Sequence, residues 1–211
     1  MLTEVETLHP IEVRVLGALL EKDMATPEYY PLTVNSLQNA CNQKSSREPI
    51  VNFDESTVHQ ALELLKNKGF VTRVSGAGHR VEKFGHRLGE KLNLGRRELA
   101  LLSVLMLRGA QTTGELRSRT ERMHDFADTD EVERVLEALA SLEEPLVARA
   151  SRGRWVHLFA ETSASQPEHS VDPESAPVSV PHSAIEDRIV ALEREVAELK
   201  QQLEAFRQQF E

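Results

Sequence analysis

Part of this chain is written twice, and that repeat constrains its fold more than any other feature. Glu12, Val13, Val15, Leu16 and Leu19 recur 86 positions later as Glu98, Leu99, Leu101, Leu102 and Leu105. Val58, Leu62 and Leu65 recur 74 positions later as Val132, Leu136 and Leu139, so the second copy is 12 residues shorter between its first and third apolar runs. Much of that excess is expected in the segment 42–53. Self-similarity of this kind predicts one supersecondary unit built twice.

The first copy shows what the unit is. Pro10 opens a helical pattern carrying Ile11, Val15, Leu16, Leu19 and Leu20 that ends near Asp23, and Thr26, Pro27 and Pro31 mark a loop. A short helix from Thr33 to about Asn42 presents Val34, Leu37, Ala40 and Cys41, whereas Ser45, Ser46 and Pro49 predict irregular chain over 42–53. From Asp54 to Lys68 the residues Val58, Ala61, Leu62 and Leu65 share one helix face, with Asp54 or Ser56 as cap and Gly69 as a left-handed exit. FVTRV and VEKF then flank SGAGHR, whose glycines suit the tip of a hairpin. Three helices and a two-stranded hairpin make a winged helix. The second copy closes in the same way with PLVARA, a turn at Ser151 to Gly153, and RWVHLF. The expected fold is mainly α with small β-hairpin wings (α+β): two tandem winged-helix domains, 1–90 and 92–160.

Residues 161–183 carry Pro167, Pro173, Pro177 and Pro181 among Ser, Glu and Ala, and read as a flexible linker. In 184–211 Ile185, Ile189, Leu192, Val196, Leu199, Leu203, Phe206 and Phe210 keep a spacing of four and three, the seam of a coiled coil. That seam predicts a homodimer, parallel or antiparallel. The net charge of -9 resolves by region into 11 basic and 12 acidic residues in 1–91, 10 and 11 in 92–160, and 4 and 11 in 161–211. The acidity therefore belongs to the tail, and the two copies are near neutral.

Cys41 is the single cysteine, which excludes an internal disulfide and a thiolate cage for zinc. It reads as a small core residue. The N-terminus lacks a basic start and an apolar core, and no run approaches a membrane span, so a cytoplasmic setting without membrane contact is expected. None of the phosphate-loop, dinucleotide, metalloprotease or nucleophile-elbow motifs is present. No enzyme activity and no cofactor is expected, and His79 and His86 beside the hairpin read as solvated surface residues.

DNA contact is the leading functional expectation, centred on the first copy. On the helix from Asp54 to Lys68 the side opposite the apolar stripe offers His59, Gln60 and Asn67, side chains able to meet base edges, with Glu55 and Glu63 opposing a polyanion. Between 66 and 87, Lys66, Lys68, Arg73, Arg80, Lys83 and Arg87 are opposed only by Glu82, a local basic excess suited to phosphates. Lys44 and Arg47, in the irregular segment NQKSSREPIVN, are further candidates for backbone contact or a ligand. The third helix of the second copy, with Asp128, Asp130, Glu131, Glu133 and Glu137, is removed from the list of DNA readers. Arg117, Arg119 and Arg122 either grip an anion or pair with Glu115, Glu121 or Asp125 on their own helix.

The runs TPEYYPLTVNSLQNACNQKSSREPI, VSGAGHRVEKF and RGAQTTGELRSRTERMHDF, followed by RWVHLF and a terminal heptad seam, closely resemble the YceH-like family of bacterial proteins. The likeness spans essentially the whole chain, and CNQKSSREP at 41–49 and GAQTTGELRSR at 109–119 are its most specific parts. The resemblance implies a tandem winged-helix fold. Taken with the residues, the expected function is a DNA-binding transcriptional regulator that touches the DNA backbone mainly through the first hairpin and dimerises through its tail. The alternative is an adaptor in which both copies bind protein partners and neither touches DNA.

Overall fold

The structure, a computed structural model, describes residues 7–74 and 81–160. Helix α1 (Pro10–Ala25) starts where the His9 ring accepts the Ile11 N–H at 3.3 Å and Glu12 Oε2 accepts the His9 N–H at 2.6 Å, with Pro10 supplying its fixed φ at the first helical position. It runs two residues past the expected end at Asp23. Helix α2 (Val34–Cys41) is capped by Thr33, whose hydroxyl accepts the Ser36 N–H at 3.2 Å. For α3 (Glu55–Asn67) the cap is Asp54, not Ser56, and Gly69 leaves the helix at φ 74°, a conformation glycine adopts without a Cβ penalty.

Strands β1 (Val71–Val74) and β2 (Lys83–His86) pair antiparallel, Val71 opposite His86. The second strand is therefore KFGH, two residues later than the expected VEKF. Phe84 fixes this register: its side chain is fully buried, and its backbone exchanges two hydrogen bonds with Leu32, at 2.7 and 3.1 Å. Val81 is left 60% exposed. A short helix α4 (Leu88–Leu92), absent from the sequence reading, joins the first copy to α5 (Arg96–Arg108), α6 (Thr113–Thr120) and α7 (Thr129–Ala140). Strands β3 (Val147–Arg149) and β4 (Trp155–His157) pair across a turn in which Gly153 has φ 68°.

The order three helices then hairpin thus occurs twice, and the Leu32–Phe84 bridge has a counterpart between Gln111 and Trp155. The helix starts give the offset between copies: 86 for α1 and α5 (10 to 96), 79 for α2 and α6 (34 to 113), and 74 for α3 and α7 (55 to 129). Of the 12 extra residues, seven precede α2 and five lie between α2 and α3. The segment 42–53, where much of the excess is expected, thus holds five of them, while a longer α1 and the loop after it hold the larger share.

Both copies contribute to one hydrophobic core. Helix α1 packs on α5, which explains why Glu12 to Leu20 are buried all round instead of along one stripe. Gly17 makes the approach possible, since a Cβ there would stand 2.9 Å from Met106 Cβ. The end of the second copy returns to the first: Leu8 donates its N–H to the Phe159 carbonyl at 2.6 Å, and the Phe70 and Phe159 rings meet edge to face at 6.4 Å. The described residues of both copies belong to one compact unit. The linker 161–183 and the seam from Ile185 to Phe210 lie outside the described residues.

Candidate functional site

Helix α3 turns Val58, Ala61, Leu62 and Leu65 inward and leaves His59, Gln60 and Asn67 exposed on its outer side. Asp54 spends one carboxylate oxygen on the Thr57 N–H at 2.7 Å, and hydrogen bonding to Thr57 holds its carboxyl below the ordinary range. Glu63 is ion-paired with Lys66 three residues on, which likewise lowers its carboxyl. The polar side chains on this face are thus accompanied by carboxylates already engaged at the cap and on the helix, with Glu55 as the exception.

The hairpin cations are placed differently from what the local charge count implies. Lys66 is held by Glu63, Arg73 by Glu82 across the strand pair, and Arg87 by Glu90 at 2.9 Å. Lys68 turns inward to Glu12 at 2.9 Å and to the Thr7 carbonyl at 3.3 Å, answering a carboxylate that is only 2% exposed. Glu12, Glu63 and Glu90 all lie outside the window 66–87, so counting within that window missed them. Among the described residues of the hairpin and its flanks, Lys83 alone has no ion-pair or hydrogen-bond partner for its side-chain charge. Arg80 lies outside the described residues.

Arg47 requires a correction. It is 6% exposed and gives its guanidinium to the carbonyls of Ala40 and Ser46 and to both oxygens of Glu21, so it offers no face to a phosphate. Its work is to pin the loop between α2 and α3 onto α1. Lys44, in the same loop, is exposed. His86 also differs from expectation: it is half-buried, with Nε2 3.2 Å from Asp23 and its backbone N–H donated to the Tyr30 hydroxyl at 2.5 Å. Burial lowers its pKa and Asp23 works the other way. Among the described residues no group of three His, Cys, Asp or Glu is placed to hold a metal. Cys41 is fully buried, and burial pushes its thiol up to about 12, which fits the core role read from sequence.

On α7 the carboxylates of Glu133 and Glu137 are drawn to Arg149, which also lies over the Trp155 ring at 4.7 Å. The neighbouring α6 ends at Thr120, so Arg122 falls in the turn after it, and the three arginines expected on one helix part company. Arg117 donates to the carbonyls of Phe126 and Ala127, Arg119 pairs with Glu115 at 3.4 Å, and Arg122 is exposed with no partner among the described residues.

Arg119 and Arg122 share a cleft of about 810 Å³ with the Gln43 to Ser46 loop, the last turns of α1 and the end of α5. The segments 41–49 and 109–119, far apart in sequence, each supply residues to its walls. Its lining carries five cations, Lys22, Lys44, Arg108, Arg119 and Arg122, against two carboxylates, Glu21 and Glu121. Burial and the neighbouring Arg119 charge both lower the Arg108 pKa. Sequence reasoning passed over Lys22 and Arg108, which end their helices in the ordinary way and carry no local signal.

These elements define a mixed-class protein, helical with two small antiparallel hairpins, built from two copies of one unit around a shared core. The chain belongs to the family described as "Protein of unknown function, DUF480", whose model matches residues 8–154. It is 50% identical over 209 residues to a UPF0502 protein of Solibacter usitatus, covering 97% of this chain and 98% of that one. It is 47% identical over 208 residues to the UPF0502 protein YceH of Salmonella paratyphi A, covering 92% and 93%. The YceH-like resemblance read from the sequence motifs is thereby established.

Proposed function

We propose that the two copies are tandem winged helices and that the protein is a DNA-binding transcriptional regulator whose first copy makes the DNA contact. The observation that carries this reading is the outer face of α3, where exposed His59, Gln60 and Asn67 present donors and acceptors of the kind that read base edges. At the positions of His59, Gln60 and Asn67, α7 carries Glu133, Arg134 and Ser141, and with Asp130 and Glu137 exposed beside them its outer face is the richer in carboxylates, which a polyanion repels. Because Lys66, Lys68, Arg73 and Arg87 are paired within the chain, the contact moves from the hairpin onto the helix, with Lys83 left to meet phosphates among the described residues and Arg80 a phosphate candidate from the sequence alone. Dimerisation through the seam Ile185, Ile189, Leu192, Val196, Leu199, Leu203, Phe206 and Phe210 joins two such contacts and raises their combined affinity. We place the protein in the cytoplasm; no described helix is long and apolar enough to cross a membrane.

A selection for bound duplexes with the full-length chain, followed by mobility shifts across a salt series, tests the reading. Expected is a selected sequence whose binding falls at least about tenfold in Gln60→Ala or Asn67→Ala, the loss of one good base contact. Absence of any salt-dependent shift at low ionic strength would sink it. Light scattering on the full chain and on a chain ending near Thr162 tests the tail, and equal particle stoichiometry in both removes the dimer.

The adaptor reading is favoured by a different observation. The paired hairpin lacks the charge of a DNA clamp, while Leu64, Val74 and Val81 are 44%, 41% and 60% exposed. If that reading holds, Leu64→Glu with Val74→Glu abolishes a nucleic-acid-free protein complex and leaves DNA retention unchanged.

A further inference from the structure

We propose that the cleft between the two copies is a binding site for a small, non-aromatic, phosphate-bearing anion carrying two or more negative charges. The inference stands apart from the DNA reading and needs neither α3 nor the hairpin. It begins with a charge imbalance. Of the five cations in the cleft wall, Lys22 has Glu21 at 3.5 Å and Arg119 has Glu115 at 3.4 Å, which leaves Lys44, Arg108 and Arg122 without an ion-pair or hydrogen-bond partner for their side chains among the described residues. Glu21 and Glu48 offset the Arg108 charge only in part, since both oxygens of Glu21 are also taken by Arg47.

Like charges gathered in a concave, half-buried place oppose one another unless an anion joins them. Arg108 shows the conflict most plainly, being part-buried and close to the Arg119 charge. An arginine fork suits phosphate oxygens in pairs, and a lysine adds a point charge.

The walls are tied together by the chain's own hydrogen bonds. The Glu48 N–H donates to the Leu107 carbonyl at 2.8 Å, Arg47 holds the Ser46 carbonyl at 2.9 Å, and Ser46 keeps φ at 62°. A loop tied down at these points loses little freedom on binding, and a preformed wall favours affinity. Size and lining narrow the ligand class. The volume of about 810 Å³ admits a molecule as large as a sugar phosphate, and the lining supplies hydroxyls from Ser45, Ser46 and Ser118 but no aromatic ring to stack a base. A polyhydroxylated phosphate ester or pyrophosphate matches those groups; a ligand recognised through a nucleobase does not.

Inorganic pyrophosphate is the probe, titrated calorimetrically into the full-length protein, with melting temperature read in parallel. Expected is saturable binding to the wild type with a dissociation constant below about 1 mM and a raised melting temperature. Lys44→Ala combined with Arg122→Ala, two exposed side chains with no ion-pair or hydrogen-bond partner among the described residues, weakens binding at least about tenfold and leaves the unliganded melting temperature unchanged. Arg108→Gln separates a ligand-binding role from a structural one. It weakens binding while the unliganded melting temperature holds or rises, since the repulsion with Arg119 goes with the charge. Three results overturn the proposal: no saturable heat up to about 10 mM; binding that the Lys44 and Arg122 changes do not weaken; or an unliganded melting temperature lowered by Arg108→Gln. If those variants lose duplex DNA instead of pyrophosphate, the cleft is a backbone contact and the small-anion site is wrong. The DNA reading itself is tested separately through Gln60 and Asn67.

Discussion

Arg47 grips Glu21 through two parallel hydrogen bonds, Nη1 to Oε1 at 3.0 Å and Nη2 to Oε2 at 2.5 Å. The two residues are 26 positions apart, one near the end of α1 and one in the irregular chain before α3. With the Ala40 and Ser46 carbonyls also taking its donors, Arg47 closes the long loop onto α1, the first-copy helix that packs on α5. Arg14 reinforces the same closure from within α1, donating to the Cys41 carbonyl at 3.3 Å and the Pro49 carbonyl at 2.6 Å. A polar loop that the sequence offers as a ligand candidate is therefore anchored by its own arginine, and only its outer residues remain to meet anything else.

Removing that anchor is costly. Arg47→Met leaves Glu21 and two carbonyls without their donor in a mostly dry place, and the expected loss is about 3 kcal/mol, toward the lower end for a broken buried pair because Lys22 stands 3.5 Å from Glu21. Arg47→Lys restores charge but not the fork, and recovers less than half. Urea unfolding at constant m-value measures both. An unchanged midpoint in Arg47→Met means that the pair contributes nothing.

Gly17 governs the seam between the copies. Its missing Cβ would meet Met106 Cβ at 2.9 Å, an atom fixed to the backbone of α5, and the Leu107 side chain at 3.2 Å. Gly17→Ala gains about 1 kcal/mol in helix propensity but loses roughly 2 to 3 kcal/mol by forcing α1 from α5, so the net expectation is a loss of about 1 to 2 kcal/mol. Gly17→Val, larger and β-branched, loses more. If thermal unfolding shows Gly17→Ala to be stabilised, the two helices are not in the contact described.

Local features were legible in the sequence where local physics decides them. The start of α2 near Thr33, a cap for α3 at Asp54 or Ser56, the exit at Gly69, the buried stripe of α3 and the doubled unit all follow from spacing and residue type. Features that depend on partners far along the chain were not. No periodicity pairs Arg47 with Glu21 or Lys68 with Glu12, and the hairpin's apparent surplus of charge dissolves only when acids from α1, α3 and α4 are brought beside it. The β2 register failed for the same reason: VEKF looks like a strand, but Phe84 has to face the core and meet Leu32. The cleft escaped because α1, a loop, α5 and α6 each lend it residues that are ordinary in isolation.

Acid should act on the second hairpin through His157. Its Nδ1 is buried without a hydrogen-bond partner, and burial lowers its pKa from 6.5 to about 4. Above pH 6.5 the ring is neutral in folded and unfolded chains alike. As pH falls from 6.5 to 4 the unfolded chain takes up a proton that the folded one refuses, so stability drops through that window and levels off below it. The drop assignable to His157 is roughly 2 kcal/mol, discounted for the partly open ring. His157→Gln flattens this part of the profile, and the quantity to measure is the difference in unfolding free energy between wild type and variant at pH 7 and pH 4.5. A difference that does not change with pH removes His157 as the cause.

On the proposed DNA reading, the pairing of the first hairpin makes binding tunable in a direction that simple charge counting does not anticipate. Arg73 and Arg87 face Glu82 and Glu90, both exposed, so releasing the arginines disturbs little of the core. Glu82→Gln with Glu90→Gln is expected to tighten binding of any duplex, selected or not, because freed guanidinium groups meet phosphate and not base edges. Each added phosphate contact steepens the dependence of log K on log salt by about 0.9, so the double variant steepens it by about 2. Lys83→Ala does the opposite, with a shallower slope and uniformly weaker binding. Fluorescence anisotropy over a salt series reads all three proteins. An identical slope in wild type and double variant places the hairpin away from the DNA and leaves α3 as the only contact in the first copy.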